Sequence, residues 1–295
     1  MRIGDHILTP IVTGNFRLDG GAMFGVVPRV LWEKTNPADE KNRIQMTMRV
    51  LLVQGSHRRI LVDNGVGDKY DSKFAQMFHI DHSQTSIASS LGEIGLSVED
   101  ITDVILTHLH FDHCGGSTKR QGSDIVPTFP QARYYVQKQQ YDHALSRNER
   151  DLASYFPENF EPLRAAEQLE LLSGPTTLYP GIEILVVGGH TPGQQLVKIS
   201  DGAATVLYCA DLIPTASHIP LPYIMAYDLF PVTTLEEKKR LLPQAHEEGW
   251  ILFFEHDPFR AATKVAKSEK GFSMGEEISF SPFSGKPIET GMSAK

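Results

Sequence analysis

Short apolar runs separated by turn residues dominate the chain, and their periods divide it into strands and helices. Residues 7–12, 43–53 and 59–63 carry alternating or continuous apolar positions of strand length. Residues 15–25 form a Gly-rich connection that carries Met23 and Phe24. Ile87, Leu91 and Ile94 recur at helical spacing, so residues 83–94 read as a helix with Ser83 as N-cap. Apolar runs at 101–106, 134–136 and 250–254 read as buried strands. Residues 178–188 read as a hairpin turning at Pro180-Gly181, and 195–199 pair with 204–209 across Asp201-Gly202. Residues 137–147 and 151–172 read as polar helices, the second broken at Pro157 and Pro162. A further helix spans 234–248, with a capping box from Thr234 to Glu237. The tail from 260 holds one alternating segment, 261–267, a peripheral strand or two with a loose end. Strands, then helices, then strands suit two packed sheets with helices outside.

Composition narrows this picture little. The 295 residues are 41% apolar and 22% charged, ordinary for a globular protein. A net charge of −8 offers no basic stripe for phosphates, which argues against a nucleic-acid partner. No apolar run approaches the roughly 18 residues of a membrane span, and the N-terminus lacks a signal-peptide pattern, so a cytoplasmic location is expected. The two cysteines, Cys114 and Cys209, are too few for a disulfide framework and read as small buried residues rather than a redox pair.

Twelve histidines are more informative. The block Thr107-His108-Leu109-His110-Phe111-Asp112-His113-Cys114-Gly115-Gly116 directly follows the strand at 101–106. Imidazole and carboxylate suit zinc and similar borderline ions. Leu109 and Phe111 alternate with the candidate ligands, so metal-facing and core-facing groups point opposite ways. Further candidates each end a strand or open the loop after one: His190 in Gly189-His190-Thr191-Pro192-Gly193, Asp211, and His256. Asp63 ends another strand, where a carboxylate can hydrogen-bond a ligating histidine from behind. His79 and His82 lie in a polar stretch and read as surface residues.

Taken together, these motifs resemble the metallo-β-lactamase-fold hydrolase superfamily, over essentially the whole chain. The resemblance implies a single α/β domain, 1–295, a four-layer αβ/βα sandwich with two mixed sheets and outer helices. It implies a dinuclear site. His108, His110 and His190 would hold one metal, Asp112, His113 and His256 the other, and Asp211 would bridge them. Two Zn2+ ions are expected, with Mn2+, Fe2+ or Co2+ as alternatives. A hydroxide shared by the metals would attack the substrate, and Asp112 would carry its proton to the leaving group.

The loop at 20–25 and the Asp211-to-His256 spacing look similar to the lactonase branch, including acyl-homoserine lactonases. A lactone or other carboxylic ester is therefore the expected small-molecule substrate, in a homodimer or a monomer. A glyoxalase II-like thioesterase, a phosphotriester hydrolase and a catalytically silent metabolite-binding member of the fold are the alternatives. Several lactonases place a Tyr three residues after the bridging Asp, where this chain has Pro214. Its carbonyl-binding role must then fall elsewhere, and His218, Tyr223 and Tyr227 follow in sequence. Met23, Phe24, His218 and Tyr223 are the expected pocket residues. The helical segment 137–172 is either a cap over the site or plain packing.

Overall fold

The computed structural model describes residues 1–280. The first strands are β1 (Arg2–Ile3) and β2 (His6–Asp19), followed by one-turn helices α1 (Gly20–Phe24) and α2 (Arg29–Trp32). Then come β3 (Arg43–Gln54), β4 (Arg59–Val62), α3 (Ser72–Phe78), α4 (Ile87–Gly92), β5 (Asp103–Ile105) and α5 (Phe111–Cys114). A small hairpin of β6 (Thr118–Gln121) and β7 (Asp124–Pro127) precedes β8 (Arg133–Gln137), α6 (Lys138–Ser146), α7 (Glu161–Ala165) and β9 (Leu169–Leu172). These strands, the hairpin apart, make one seven-stranded mixed sheet in the order β1-β2-β3-β4-β5-β8-β9.

The second sheet is also mixed and runs in sequence order. Its strands are β10 (Thr176–Tyr179), β11 (Ile182–Val187), β12 (Gln194–Ser200), β13 (Thr205–Tyr208), β14 (Ile251–Phe253), β15 (Ala262–Ser268) and β16 (Gly271–Glu277). The long helix α8 (Pro231–Glu247) crosses from β13 to β14, which makes that pair parallel.

Strand alternation builds the sandwich. In the first sheet Leu51, Val53, Ile60, Val62, Ile105 and Tyr135 face the second sheet, packing with Ile184, Val197, Ile199 and Val206. Their neighbours Val50, Leu52, Leu61, Val104, Leu106 and Tyr134 face outward and are covered by Leu91 of α4 and by Tyr141 and Ala144 of α6. A strand buried on both faces has no polar positions to spare, so its sequence reads as a continuous apolar run. The expected αβ/βα sandwich is what forms.

Several local expectations differ. β2 runs on to Asp19, and the supposed Gly-rich loop closes as α1, because the Asp19 carboxylate accepts the Ala22 N–H at 2.8 Å. α4 starts at Ile87 with Ser86 as its cap, because the Ser86 hydroxyl accepts the Ser89 N–H at 3.1 Å and the Ser89 hydroxyl accepts the Ser86 N–H at 2.8 Å. Residues 151–172 are not one helix. Pro157 and Pro162 sit at the starts of separate short turns, and Leu169–Leu172 pairs in parallel with β8. α8 begins three residues before Thr234, because Pro231 at its first turn needs no N–H partner. Thr234 and Glu237 make no capping box; both reach across to the functional edge. His82 is half-buried, with Nδ1 2.9 Å from the Thr13 carbonyl and Nε2 3.0 Å from that of Gly67, while His79 is exposed. The strand expected at 261–267 forms as β15, and the loose end beyond it lies outside the described residues.

Candidate metal centre

The parallel pairs place the chemistry. β4 with β5, and β13 with β14, each end at the same edge of their sheet. Asp63 follows β4, and His108, His110, Asp112 and His113 follow β5. Asp211 follows β13, His256 follows β14, and the β11–β12 loop brings His190. The block after β5 turns sharply under steric constraint. A methyl group on Gly115 would lie 2.0 Å from the Val66 carbonyl oxygen, and one on Gly116 2.4 Å from that of Asn64. Ala210, just before Asp211, holds a φ of 44°, a conformation an L side chain adopts only under tertiary constraint.

Seven side chains converge, all buried. His110 Nδ1 lies 3.0 Å from His108 Nε2 and 3.1 Å from His190 Nε2. His256 Nε2 and His113 Nε2 are 3.1 Å apart, with Asp112 Oδ2 3.8 and 3.9 Å away. Asp211 joins the two groups. Its Oδ2 is 3.3 Å from His190 Nε2 and its Oδ1 3.2 Å from His256 Nε2. Donors about 2.0 Å from a tetrahedral ion stand about 3.3 Å apart, close to these separations. Asp211 Oδ1 is buried without a well-directed hydrogen bond, as a cation ligand would be. The donor set fits two divalent ions of zinc type.

Electrostatics sorts the donors. Burial, reinforced by neighbouring imidazoles, holds His108 and His110 well below the usual histidine range, so both are neutral with lone pairs available. Burial opposes charge on Asp211, but His113, His256 and His190 outweigh it and keep the carboxylate ionised. Burial likewise opposes charge on His113, yet Glu255, Asp211 and Asp112 raise it.

Groups behind the ligands fix their ring orientations. Asp63 Oδ2 lies 3.1 Å from His113 Nδ1 and also accepts the Thr107 hydroxyl. Sequence reading missed two partners. Asp228 Oδ1 lies 2.8 Å from His190 Nδ1, while its Oδ2 accepts the Thr234 hydroxyl at 2.7 Å. Glu255 Oε2 lies 2.9 Å from His113 Nδ1. Glu255 is adjacent to His256, which was a usable signal; Asp228 sits in an irregular loop with none. Glu237 accepts the N–H groups of Gly188 and Gly189, so α8 anchors the His190 loop.

A cavity of about 280 Å3 opens over the site, bounded by His110, Asp112, His190 and Asp211. Its walls are Leu18, Met23, Met46, Phe78, Phe111 and Met225, with Arg150, Asp151 and Tyr227 as polar contributors. Of the expected pocket residues only Met23 is among the lining. Phe24 is fully buried, stacked between Trp32 and His218. His218 is buried behind it, with Nε2 2.8 Å from the Met23 carbonyl and Nδ1 against the Thr215 hydroxyl. Tyr223 borders a different groove beside Phe259 and Met274. Aromatic stacking won over cavity lining for these three. The segment 150–154 does border the cavity. Cys114 and Cys209 are buried free thiols in separate core clusters, and burial pushes Cys114 up to about 12.

This edge-mounted donor set on an αβ/βα sandwich defines a class, and residues 49–256 match the model of the metallo-β-lactamase superfamily, to which the chain belongs. The chain is 29% identical over 174 residues to the N-acyl homoserine lactonase AiiA of Bacillus thuringiensis subsp. kurstaki, a match covering 58% of this chain and 62% of that one. The match thus spans less than two thirds of that lactonase. A solved structure of a probable metal-dependent hydrolase from Staphylococcus aureus superposes with a TM-score of 0.84 at 29% identity, covering 95% of this chain and all of that one. AidC, a dizinc quorum-quenching lactonase, shares the fold with a TM-score of 0.77 at 24% identity, covering 95% and 97%. Among the described residues, no helix is long and apolar enough to cross a membrane.

Proposed function

We propose that the protein is a dinuclear metal hydrolase that opens a lactone or cleaves another carboxylic ester. The observation that carries this reading is Asp211, whose two oxygens face the two donor groups separately. His108, His110 and His190 would hold one ion, and Asp112, His113 and His256 the other. Two zinc ions there would acidify a water toward neutral pH and polarise a carbonyl oxygen.

The chain's own residues supply the rest. Asp112 lines the cavity, so its carboxylate can take the proton of the attacking water and return it to the leaving alkoxide. The apolar walls exclude bulk water and seat the acyl part, and three methionines among them adapt to its shape. Tyr227 and Ser154 bring hydroxyls to the cavity, and Tyr227 would take the carbonyl-binding role that Pro214 leaves vacant; burial of its ring pushes it up to about 12, so that it stays a proton donor. The similarity to N-acyl homoserine lactonases supports a lactone substrate.

Turnover of a lactone, ester, thioester and phosphotriester panel tests this, with the protein stripped by chelator and reloaded with zinc. Lactone or ester hydrolysis should vanish on stripping and return on reloading. Asp112→Asn, assayed at zinc concentrations that keep both positions filled, should lower kcat by roughly 100-fold or more. Full turnover by that variant would remove the proton role, and cleavage confined to thioesters or phosphotriesters would remove the ester reading.

A further inference from the structure

His113 meets two carboxylates with one nitrogen. Its Nδ1 is 2.9 Å from Glu255 Oε2 and 3.1 Å from Asp63 Oδ2, and all three side chains are fully buried. Asp63 is well supplied with donors: Thr107 gives its N–H to Oδ1 and its hydroxyl to Oδ2, both at 2.7 Å. Glu255 is not. Its Oε2 accepts the Tyr208 hydroxyl at 2.6 Å, and its Oε1 is buried with no partner. One N–H cannot compensate two buried carboxylates, which stay together only with positive charge close by. Glu255 is also held rigidly: Arg49 Nη1 donates to the Phe254 and Asp257 carbonyls on either side, at 3.1 and 2.7 Å.

The other donor group is backed differently. His190 Nδ1 faces Asp228 alone. His108 Nδ1 lies 3.1 Å from the Thr107 hydroxyl, and His110 Nε2 is buried without a partner. His256 Nδ1, on the Glu255 side, faces only the Thr47 carbonyl. Asp211 is shared. Beyond it, one position has a single carboxylate, Asp228, and the other has three: Asp112, Asp63 and Glu255. Each added carboxylate deepens the well for a divalent ion, and an imidazole polarised from behind is the stronger donor.

We propose that Glu255 is a positioning residue which, through His113, makes the Asp112–His113–His256 position the tighter of two metal positions, so that it fills first. This rests on the metal reading of the site but not on its substrate. The test is zinc titration of the stripped full-length protein against a chromophoric chelator, which reports both dissociation constants without any turnover. The wild type should take up two ions in separate steps. Glu255→Gln keeps the shape and should weaken the tighter step 10–100-fold while moving the looser one less than about threefold. Asp228→Asn should do the reverse, and it decides the matter if Glu255→Gln does not fold. Two equal steps in the wild type, or a Glu255→Gln effect spread over both, would overturn the inference alone. A protein that binds no zinc would overturn the metal reading with it.

Discussion

Gln140 ties the two histidine segments together from below: its Nε2 donates to the Thr191 hydroxyl at 3.1 Å. The same nitrogen donates to the Pro192 carbonyl at 2.7 Å, and Oε1 accepts the Leu109 N–H at 3.4 Å. The side chain is fully buried. One amide therefore spans the loop that carries His190 and the block that carries His108 and His110. Gln140→Leu fills similar volume but strands those polar groups. It should cost about 1–3 kcal/mol by urea unfolding. It should also loosen zinc at the histidine triad; an unfolding midpoint equal to wild type would show that the amide is incidental.

Lys238 supplies a pH dependence away from the metal donors. Its Nζ donates to the carbonyls of His218, Pro220 and Tyr223 at 2.6, 2.9 and 2.9 Å. Burial pushes the amine down to about 7, against the pull of Asp228. In the unfolded chain a lysine titrates near 10.4. Between about 7 and 10.4 the unfolded chain therefore binds more protons, and stability rises with pH. It is lost as pH falls through that window, and the slope vanishes below about 7. The slope is at most about 1.4 kcal/mol per pH unit, less where the carbonyl cage favours the ammonium form. Lys238→Met should cost about 1–3 kcal/mol and flatten the rise between pH 7 and 10. Parallel wild-type and variant curves would mean that the carbonyls keep the proton on.

Arg150 closes one side of the cavity. Its Nη2 donates to the Ala226 carbonyl at 2.5 Å and reaches that of Asp228 at 3.4 Å. Those carbonyls flank Tyr227 and belong to the loop that positions Asp228 behind His190. The arginine is exposed, so its latch contributes about 1 kcal/mol. Arg150→Ala should raise KM about fivefold and leave kcat within twofold, read by steady-state kinetics on whichever ester is turned over. A fall in kcat alone would place the latch in the chemistry instead.

The sheets and the block at 107–116 were legible because period and ligand spacing are local properties. Strand ends at 63, 106 and 209 could be placed within a few residues, and the converging histidines came with them. What the sequence did not disclose were choices made by distant partners. Thr234 and Glu237 match a capping box letter for letter, yet Pro231 starts the helix earlier and frees both side chains for Asp228 and the Gly188-Gly189 backbone. Phe24 and His218 are far apart in the chain, and nothing local says that they stack on each other rather than line a cavity. Asp228 carries no motif at all; only the fold puts it behind His190.

The donors come from both sheets, His108 to His113 from one and His190, Asp211 and His256 from the other. Neither sheet alone can complete either triad or offer Asp211 to both. The centre therefore exists only after the two halves have closed on each other and α8 has delivered β14. On the proposed reading, metal uptake would in this sense be a checkpoint on folding: a nascent chain that has not yet emitted its last third would have nowhere to store a pair of ions, and a chain that held them would have finished its tertiary assembly.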